Sequence, residues 1–365
     1  MRLEKIDILN FKNIAEARME FSPGVNCLLG MNGMGKSNLL EAVYFLSKSR
    51  PMHSMPENAL IRHGADMLMV KGDYVSDNGG DESVSCGIVR GRGKTLKRNG
   101  KEYGRISEHI RKFPIVSVLP SDSELVSGSG ELRRRLLDMV ISQAEPLYLA
   151  HLIKYNKGLE SRNRMLRAGV RDALLYESIE SGMAQAAEAI HASRRDWTEK
   201  IRPLFTGYYS RISGDAERAS IGYKSVLNDS NLRDVFKETR AKDSVLGFTS
   251  AGIHRDDLSM GLGDYSMRRL GSQGQVKSFT IALKFAIFDY LRTAGGITPM
   301  LLLDDIFDKL DSSRVGRIME AVSGGGDFGQ IFITDTNREH LDETISSIRS
   351  ESRLFEVRDG EFATI

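Results

Sequence analysis

Residues 30–37 read GMNGMGKS, a complete GxxxxGK[ST] phosphate-binding loop. The apolar run at residues 25–29 predicts a buried strand before the loop, and residues 38–46 have the apolar spacing of a helix. Strand, glycine-rich loop and helix together form the context in which this motif binds phosphate. We predict that Gly30 and Gly35 let the backbone curl, so that successive N–H groups point inward at phosphate oxygens.

The two residues that follow Gly35 carry the chemistry of such a loop. Lys36 is expected to reach the β- and γ-phosphates, and Ser37 to bind Mg²⁺, at a helix start whose dipole also favours anions. The alternative is a glycine-rich turn that matches the motif by chance.

Composition restricts the class of protein. The 365 residues allow two domains, and the chain has no apolar stretch of about 18 residues that would span a membrane. The charged residues near Met1 do not resemble a signal peptide, and two cysteines provide no disulfide framework. We therefore expect a cytoplasmic protein with no membrane partner. A net charge of +2 permits a nucleic-acid partner without requiring one.

The pattern changes along the chain. Residues 3–21 predict a β-hairpin, residues 66–98 are rich in strand signals, and Asn99-Gly100 predicts a second hairpin. Residues 123–209 instead predict several long amphipathic helices. Two apolar stripes in this block are interpreted as core rather than as a ligand site: Leu136, Leu137, Val140 and Ile141, and Met183, Ala186, Ala187 and Ile190.

A second motif lies far along the sequence, at residues 300–305, which read MLLLDD. A buried parallel strand that ends in an acid is where P-loop ATPases place the group that binds magnesium. We predict that Asp304 binds Mg²⁺ and that Asp305 acts as the general base toward the attacking water. The alternative is a buried strand capped by solvated acids.

Residues 271–275 read GSQGQ and open a helical pattern shortly before that strand. A Ser/Gly segment at a helix N-terminus is a potential anion site. A monomer with one phosphate loop does not need a second such site. Two are useful if the second site of one chain closes over the nucleotide bound by another chain.

These motifs resemble the ABC-type ATPases of the SMC-like branch, and specifically the RecF family of recombination mediators. Residues 30–42 are similar to the Walker A region of the family, and residues 302–305 with 310–311 to its Walker B and D-loop. In the signature-like residues 272–277, Gln273 replaces the first glycine of the commoner LSGGQ. Similarity extends to the opening NFRN element (residues 9–13), the helical-arm landmarks (133–138, 155–156 and 162–163) and the GPHRDD element (254–257).

The resemblance implies an α/β fold: an ABC-type P-loop ATPase head of two lobes, with a mixed sheet and a β-rich lobe, and an inserted α-helical arm. We assign residues 1–120 and 236–365 to the head and residues 121–235 to the arm. The resemblance implies that ATP is bound by Gly30, Asn32, Gly33, Gly35, Lys36, Ser37, Asn38, Lys12 and Asn13. It implies a trans contact made by Ser272, Gln273, Gly274 and Gln275.

The resemblance also implies a homodimer that forms when ATP binds. Ser272 of one subunit would contact the γ-phosphate that Lys36 of the other subunit holds. Such a dimer would clamp duplex DNA near single-strand gaps, and slow hydrolysis by a weak DNA-dependent ATPase would release it. The family role is recombinase loading in DNA repair and replication-fork recovery, with RecR- and RecO-type mediator proteins as partners.

The sequence departs from the family pattern at three places. Residues 252–254 lack its proline, and residues 51–53 are less basic than usual. Residues 333–336 read ITDT and have no histidine where many ABC ATPases carry a switch histidine. Thr334 or Thr336 is the alternative hydrogen-bonding group there.

Several interpretations remain open at this stage. Residues 133–135 (RRR) could contact DNA or form a solvated face, and Lys94, Lys97, Arg98 and Lys101 more simply keep a hairpin soluble. Residues 254–257 (HRDD) could be nuclease metal ligands, although a buried Arg–Asp pairing or a subunit contact fits adjacent acids better. A membrane-transporter subunit would carry a standard LSGGQ, and the head of a long SMC protein would need hundreds of heptad residues.

Overall fold

The computed structural model describes residues 1–76, 79–104, 108–109, 111–215, 217–308, 310–323, 328–347 and 351–365. The chain forms two compact units. The first unit comprises residues 1–122, 211–213 and 280–365, and the second comprises residues 123–210 and 214–279.

The strands of the described residues are β1 (Arg2–Phe11), β2 (Ile14–Glu20), β3 (Val25–Leu29), β4 (Met67–Val75), β5 (Asp81–Val89), β6 (Gly93–Arg98), β7 (Lys101–Glu102), β8 (Ile115–Val118), β9 (Ala219–Lys224), β10 (Asp257–Leu262), β11 (Tyr265–Ser266), β12 (Met300–Asp304), β13 (Ile331–Asp335), β14 (Ser352–Arg358) and β15 (Glu361–Thr364). The α-helices are α1 (Lys36–Lys48), α2 (Glu124–Ser127), α3 (Gly130–Ala144), α4 (Tyr148–Arg167), α5 (Ala173–Ser213), α6 (Leu232–Leu246), α7 (Met267–Leu270), α8 (Gln273–Gly295), α9 (Ser312–Ser323) and α10 (Arg338–Ser347).

An antiparallel sheet of the first unit has the strand order β2-β1-β4-β5-β6-β7. Along β4 the residues alternate between buried and more exposed, as expected for a strand with one face on a core. The predicted hairpins are present: β1 pairs with β2, and Asn99 and Gly100 join β6 to β7 with positive φ values of 50° and 76°. Both central residues of a type I′ turn need positive φ, which explains the Asn-Gly sequence.

The second sheet of the first unit has the order β15-β14-β3-β13-β12-β8, and only the β14–β15 pair is antiparallel. Strands β12 and β13 are buried along their whole length, which explains their continuous apolar sequences. Helix α1 contributes Leu39, Val43 and Phe45, all without exposed surface, to the main hydrophobic core of this unit. This core fixes the helix that follows the phosphate loop.

The second unit combines long helices with a three-stranded sheet of order β11-β10-β9. The two apolar stripes predicted as core are buried on α3 and α5. Helix α5 runs for 41 residues and passes through Pro203 without ending. Among the described residues, no helix has both the length and the apolar character needed to cross a membrane.

Residues 236–279 belong to the second unit, whereas the sequence placed them in the head. The reason is strand pairing: β9, which precedes this stretch, pairs along its length with β10, which lies inside it. A boundary at residue 235 would therefore cut a sheet. The ion pair between Arg133 of α3 and Asp257 of β10, with N–O distances of 2.6 and 3.0 Å, adds a further link.

Arg162 of α4 lies at the centre of a buried charge network. Its guanidinium donates to Glu180 at 2.9 Å, to Asp243 at 2.7 Å and to the Thr249 hydroxyl at 2.9 Å. The arginine side chain has no exposed surface; it compensates the buried charge of Asp243 and shares Glu180 with Arg240, which pairs with that carboxylate at 2.6 Å. Arg162 thereby joins α4, α5 and α6.

We expect Arg162→Ala to lower the free energy of unfolding of the second unit by about 3–5 kcal/mol, because it leaves Glu180 and Asp243 without their shared buried partner. Urea unfolding followed by the fluorescence of Trp197 measures this change. Trp197 is the only tryptophan of the sequence and is fully buried in this unit.

Arg164→Ala on the same helix is the matched control. Arg164 pairs with Glu160 at 3.2 Å, and the two side chains are 73% and 71% exposed. We expect it to change the free energy of unfolding by less than about 0.5 kcal/mol. Equal losses in the two variants would contradict the role given to Arg162.

His254 provides a pH-dependent contribution to stability. Its Nε2 donates to the carbonyl of Thr249 at 3.0 Å, so Nδ1 of the neutral ring accepts from the Tyr155 hydroxyl at 2.8 Å. Burial lowers the pKa of His254 from 6.5 to about 4. The folded unit therefore holds this ring neutral at pH values at which the unfolded chain protonates it.

Because the unfolded state binds the extra proton, we expect the free energy of unfolding to fall as the pH decreases from about 6.5 to about 4, with about 1.4 kcal/mol per pH unit from His254. His254→Gln should reduce this slope. The measurement is the urea midpoint of Trp197 fluorescence between about pH 7 and about pH 5. Identical slopes for the variant and the unaltered chain would show that His254 does not carry the effect.

Candidate nucleotide-binding site

The phosphate loop lies between β3 and α1, as the sequence predicts. Strand β3 ends at Leu29, and α1 begins at Lys36 with Gly35 as its N-cap residue. Gly33 and Gly35 have φ values of 83° and 117°, a region that glycine enters without steric cost. Asn32 and Gly33 are exposed at the tip of the loop.

Gly30 is required for a different reason from the predicted one. It is not among the residues with positive φ, so backbone curl does not explain it. A Cβ atom placed on Gly30 would lie 2.5 Å from the carbonyl oxygen of Val357 in β14. The glycine thus permits a close approach between two backbone segments.

Lys36 turns its ammonium back over the loop. The Nζ atom donates to the carbonyl of Gly30 at 2.5 Å and to that of Met31 at 3.0 Å. Burial lowers the pKa of Lys36, and the nearby carboxylates of Asp305, Asp304 and Asp335 oppose this shift. The ammonium of Lys36 is thus partly desolvated and lies within electrostatic range of three carboxylates.

Ser37 and Asp304, 267 residues apart in the sequence, are in direct contact. The Ser37 hydroxyl donates to Oδ1 of Asp304 at 2.9 Å, and the hydroxyl of Thr334 donates to the same oxygen at 2.7 Å. Strands β12 and β13 are parallel neighbours, so Asp304 and Thr334 lie side by side at the carboxyl end of the sheet. The two residues predicted as magnesium ligands are therefore brought together.

Asp305 has a left-handed backbone, with φ of 47°. Its N–H donates to the Thr334 hydroxyl at 3.0 Å, which fixes the turn directly after β12. Non-glycine residues in this conformation cost energy and cluster at functional sites. Thr334 thus contacts both acids, and of the two threonines in the ITDT segment it is the one whose hydroxyl lies against them.

The β1–β2 turn supports the other side of the loop. Asn13 donates from Nδ2 to the carbonyl of Met34 at 3.3 Å, and its Oδ1 accepts from Asn38 at 2.7 Å. Lys12 forms an ion pair with the buried carboxylate of Glu41 in α1. Lys12 also lines a surface cleft in the first unit, together with Pro56, Asn58, Ala59, Ile61, His63 and Arg90.

The signature-like segment lies in the second unit, where Ser272 caps α8. Its hydroxyl accepts from the N–H of Gln275 at 3.2 Å, and the Gln275 side chain accepts from the N–H of Ser272 at 2.8 Å. This reciprocal pair is a capping box, a structural role that explains both residue types. Ser272 and Gln273 remain exposed, and Gly274 is half-buried.

Most of the basic side chains considered as DNA contacts have hydrogen-bond or ion-pair partners within the protein. Arg133 is buried against Asp257, and Arg134 donates to the carbonyl of Asp256 at 2.7 Å. Arg135 is exposed and pairs with Glu131. At the first-unit hairpin, Lys94 pairs with Glu57 and Arg98 with Glu82, so these two side chains have partners within the first unit.

Residues 254–257 form internal contacts rather than a metal site. Asp256 accepts from Arg194 at 2.7 Å and from the Tyr223 hydroxyl, and its neighbour Asp257 is bound by Arg133. Burial raises the pKa of Asp256. Within the described part of the chain, no group of three or more His, Cys, Asp or Glu residues could hold a metal ion. The predicted Arg–Asp pairing is confirmed.

Two features of the site were absent from the sequence predictions. His340 of α10 binds Oδ2 of Asp335 through Nδ1 at 3.0 Å, and its ring packs against Phe307 at 5.7 Å. The β14–β15 turn contacts the phosphate loop through Gly360, whose N–H donates to the carbonyl of Met34 at 2.7 Å. Asp359-Gly360 is a hairpin signal that could have located the turn but not its contact.

Comparison with known proteins agrees with this geometry. The family model for the RecF/RecN/SMC N-terminal domain matches residues 2–360. A protein of Phocaeicola vulgatus named DNA replication and repair protein RecF is 47% identical over 363 residues, which cover 99% of this chain and 98% of the relative. A protein of the same name from Porphyromonas gingivalis is 46% identical over 362 residues, 99% of each chain.

Solved structures give the same result. A structure of the recombination mediator protein RecF with ATP, from the RecFOR pathway, aligns with a TM-score of 0.88 and 27% identity over 100% of this chain and 97% of that one. An Smc head bound to a domain of ScpA has a TM-score of 0.61 at 15% identity over 100% and 98%, a likeness of fold alone. These matches confirm the predicted α/β ABC-type ATPase fold with a helical arm, and the chain belongs to the RecF family.

Proposed function

We propose that this chain binds ATP and Mg²⁺ at the phosphate loop, dimerises on the bound nucleotide and thereby clamps duplex DNA. The observation that carries the proposal is the convergence of Ser37, Asp304 and Thr334 beside the loop. A hydroxyl and a carboxylate oxygen at 2.9 Å are hard oxygen donors of the kind that Mg²⁺ prefers, so these residues fit the ion.

Residues 30–38 would hold the phosphates through backbone N–H groups and Lys36, with Lys12, which lines the surface cleft, and Asn13 as further binding residues. When bound, Mg²⁺ neutralises charge that develops on the phosphate oxygens. Asp305 would take a proton from water as the water oxygen attacks the γ-phosphorus. The bond to the β,γ-bridging oxygen breaks, and ADP leaves with the electron pair. The fixed backbone of Asp305 supports this assignment.

The signature-like segment supports dimerisation. Ser272 is exposed at the start of the long helix α8, whose N-terminus favours an anion. Accepting a hydrogen bond in the capping box leaves its hydroxyl able to donate one. We assign Ser272, Gln273, Gly274 and Gln275 to a contact with the γ-phosphate held by Lys36 of a second copy.

The relatives suggest the biological setting. Proteins named for DNA replication and repair support DNA as a partner, and structures named for the RecFOR pathway support RecR- and RecO-type proteins as further partners. We assign the DNA as duplex and gapped DNA. Slow, DNA-dependent hydrolysis would release the DNA. Since the sequence carries no motif for base-specific readout, DNA contact would be directed mainly at phosphates and weaken steeply with salt.

We expect the chain to be a monomer without nucleotide or with ADP, and a dimer with a non-hydrolysable ATP analogue and Mg²⁺. Ser272→Arg should bind the analogue with unchanged affinity yet remain a monomer, because the larger side chain blocks the contact in trans. Light scattering gives the mass, and a fluorescent nucleotide gives the affinity.

The same samples test the clamp through their retention of a labelled gapped duplex at rising salt. Retention that needs the analogue and is lost in Ser272→Arg supports the proposal. A Ser272→Arg chain that dimerises normally would refute the trans contact, and DNA retention independent of nucleotide would refute the clamp.

Magnesium use depends on how Asp304 is oriented. We expect Thr334→Val to raise the Mg²⁺ concentration for half-maximal ATP turnover by about tenfold, since removing an outer hydrogen-bond donor weakens a metal site to that extent. Titration of steady-state turnover with Mg²⁺ measures this.

Thr336→Val is the matched control, because Thr336 is exposed and lies only two residues further along. It should leave the Mg²⁺ requirement unchanged. If both valine variants behave like the unaltered chain, Thr334 does not orient the magnesium ligand.

A further inference from the structure

The C-terminal hairpin β14–β15 lies directly behind the phosphate loop. The two glycines of the motif, Gly30 and Gly35, lie close to this hairpin. A Cβ atom placed on Gly30 would lie 2.5 Å from the carbonyl oxygen of Val357, and one placed on Gly35 would lie 3.3 Å from the Cα atom of Gly360. A Cβ on Gly360 would in turn lie 2.8 Å from the carbonyl oxygen of Asn13. The loop, the β1–β2 turn and the hairpin turn are therefore in backbone contact.

The hairpin turn also holds one peptide group of the loop. The Gly360 N–H donates to the Met34 carbonyl at 2.7 Å, and the Asn13 side chain donates to the same oxygen at 3.3 Å. In a trans peptide the carbonyl and the following N–H point in opposite directions. Fixing the Met34 carbonyl toward the hairpin therefore aims the Gly35 N–H away from it.

We propose that the C-terminal hairpin orients the phosphate loop, with Gly360 as a positioning residue that aims a loop N–H group at the bound phosphate. The inference rests on the proposed binding of ATP at this loop. Donors that are fixed before the ligand arrives need no reorganisation when it binds, which is how preorganised N–H groups gain their strength. The hairpin thus contributes to nucleotide affinity through its contacts with the loop.

The chain contains a matched control for this glycine. Asp359 and Gly360 have φ values of 49° and 83°, and Asn99 and Gly100 have 50° and 76°, so both pairs form the same kind of two-residue hairpin turn. No atom lies within 4 Å of a Cβ placed on Gly100, whereas Gly360 faces the Asn13 carbonyl. Substitution at either glycine imposes similar backbone strain, but only Gly360 touches the loop.

The experiment compares Gly360→Ala with Gly100→Ala. Thermal unfolding without nucleotide checks that both variants fold and measures the stability that each one loses. We expect the dissociation constant of a fluorescent ATP analogue with Mg²⁺ to rise by about tenfold in Gly360→Ala, because small displacements of aligned groups have large effects, and by less than about twofold in Gly100→Ala. Equal affinities in the two variants would overturn the inference.

A second pair of variants keeps the test valid if the alanine variants fail to fold. Asparagine tolerates positive φ better than alanine, so Gly360→Asn and Gly100→Asn reduce the strain and keep the added Cβ. The same difference in affinity is expected between them. If Gly360→Asn binds the analogue as tightly as Gly100→Asn, the contact with Asn13 does not position the loop.

Failure of the proposed function gives a different result. In that case the unaltered chain does not bind the analogue, or Lys36→Ala binds it equally well. A different outcome would refute only the role of the hairpin. In that outcome the unaltered chain binds the analogue, Lys36→Ala does not, and the two glycine variants have equal affinities, so the proposed ATP site stands.

Discussion

One oxygen atom, Oδ1 of Asp304, connects the parts of the candidate site. It accepts hydrogen bonds from Ser37 and from Thr334, so three distant segments of the chain meet at a single acceptor. Asp304 is only 6% exposed, and its carboxylate would be costly to bury without these donors. Hydrogen bonds to a charged group contribute about 1.5–3 kcal/mol each, enough to offset much of that cost. The same oxygen is therefore both a structural centre and the proposed magnesium ligand.

The contact between Ser37, Asp304 and Thr334 depends on the parallel sheet. Strand β3 pairs with β13, and β13 pairs with β12, all in the same direction. Parallel strands end at one edge, so the phosphate loop after β3 and the acids after β12 lie on the same side. Strands β12 and β13 are buried on both faces, so a slip of one residue would turn every side chain to the opposite face and disrupt the close packing on both sides. The geometry of the site is thus fixed by packing far from the site.

The sequence predicts those parts of this arrangement that depend on local patterns of residues. The strand–loop–helix unit at residues 25–46, the acid-terminated strand β12, both hairpins and the buried stripes of α3 and α5 follow from apolar spacing and turn residues. The run at residues 133–135 did not reveal that Arg133 is buried, since its partner Asp257 lies 124 residues away. The contact of Gly360 with Met34 uses a backbone N–H, which has no signature in any side chain. The pairing of β9 with β10, which moves residues 236–279 into the second unit, is likewise a backbone contact.

The order of strands also determines when the candidate nucleotide site can form during synthesis. Strand β3 emerges early, but its neighbours β13 and β14 are near the end of the chain, and 322 residues separate Leu29 from Ser352. At about 5–20 residues per second, the ribosome needs roughly 15–60 s to supply them. During that time β3 has neither of its final partners, and a chain released before β14 lacks the wall behind the phosphate loop. Truncated translation products would therefore keep the complete phosphate-loop sequence without the means to shape it.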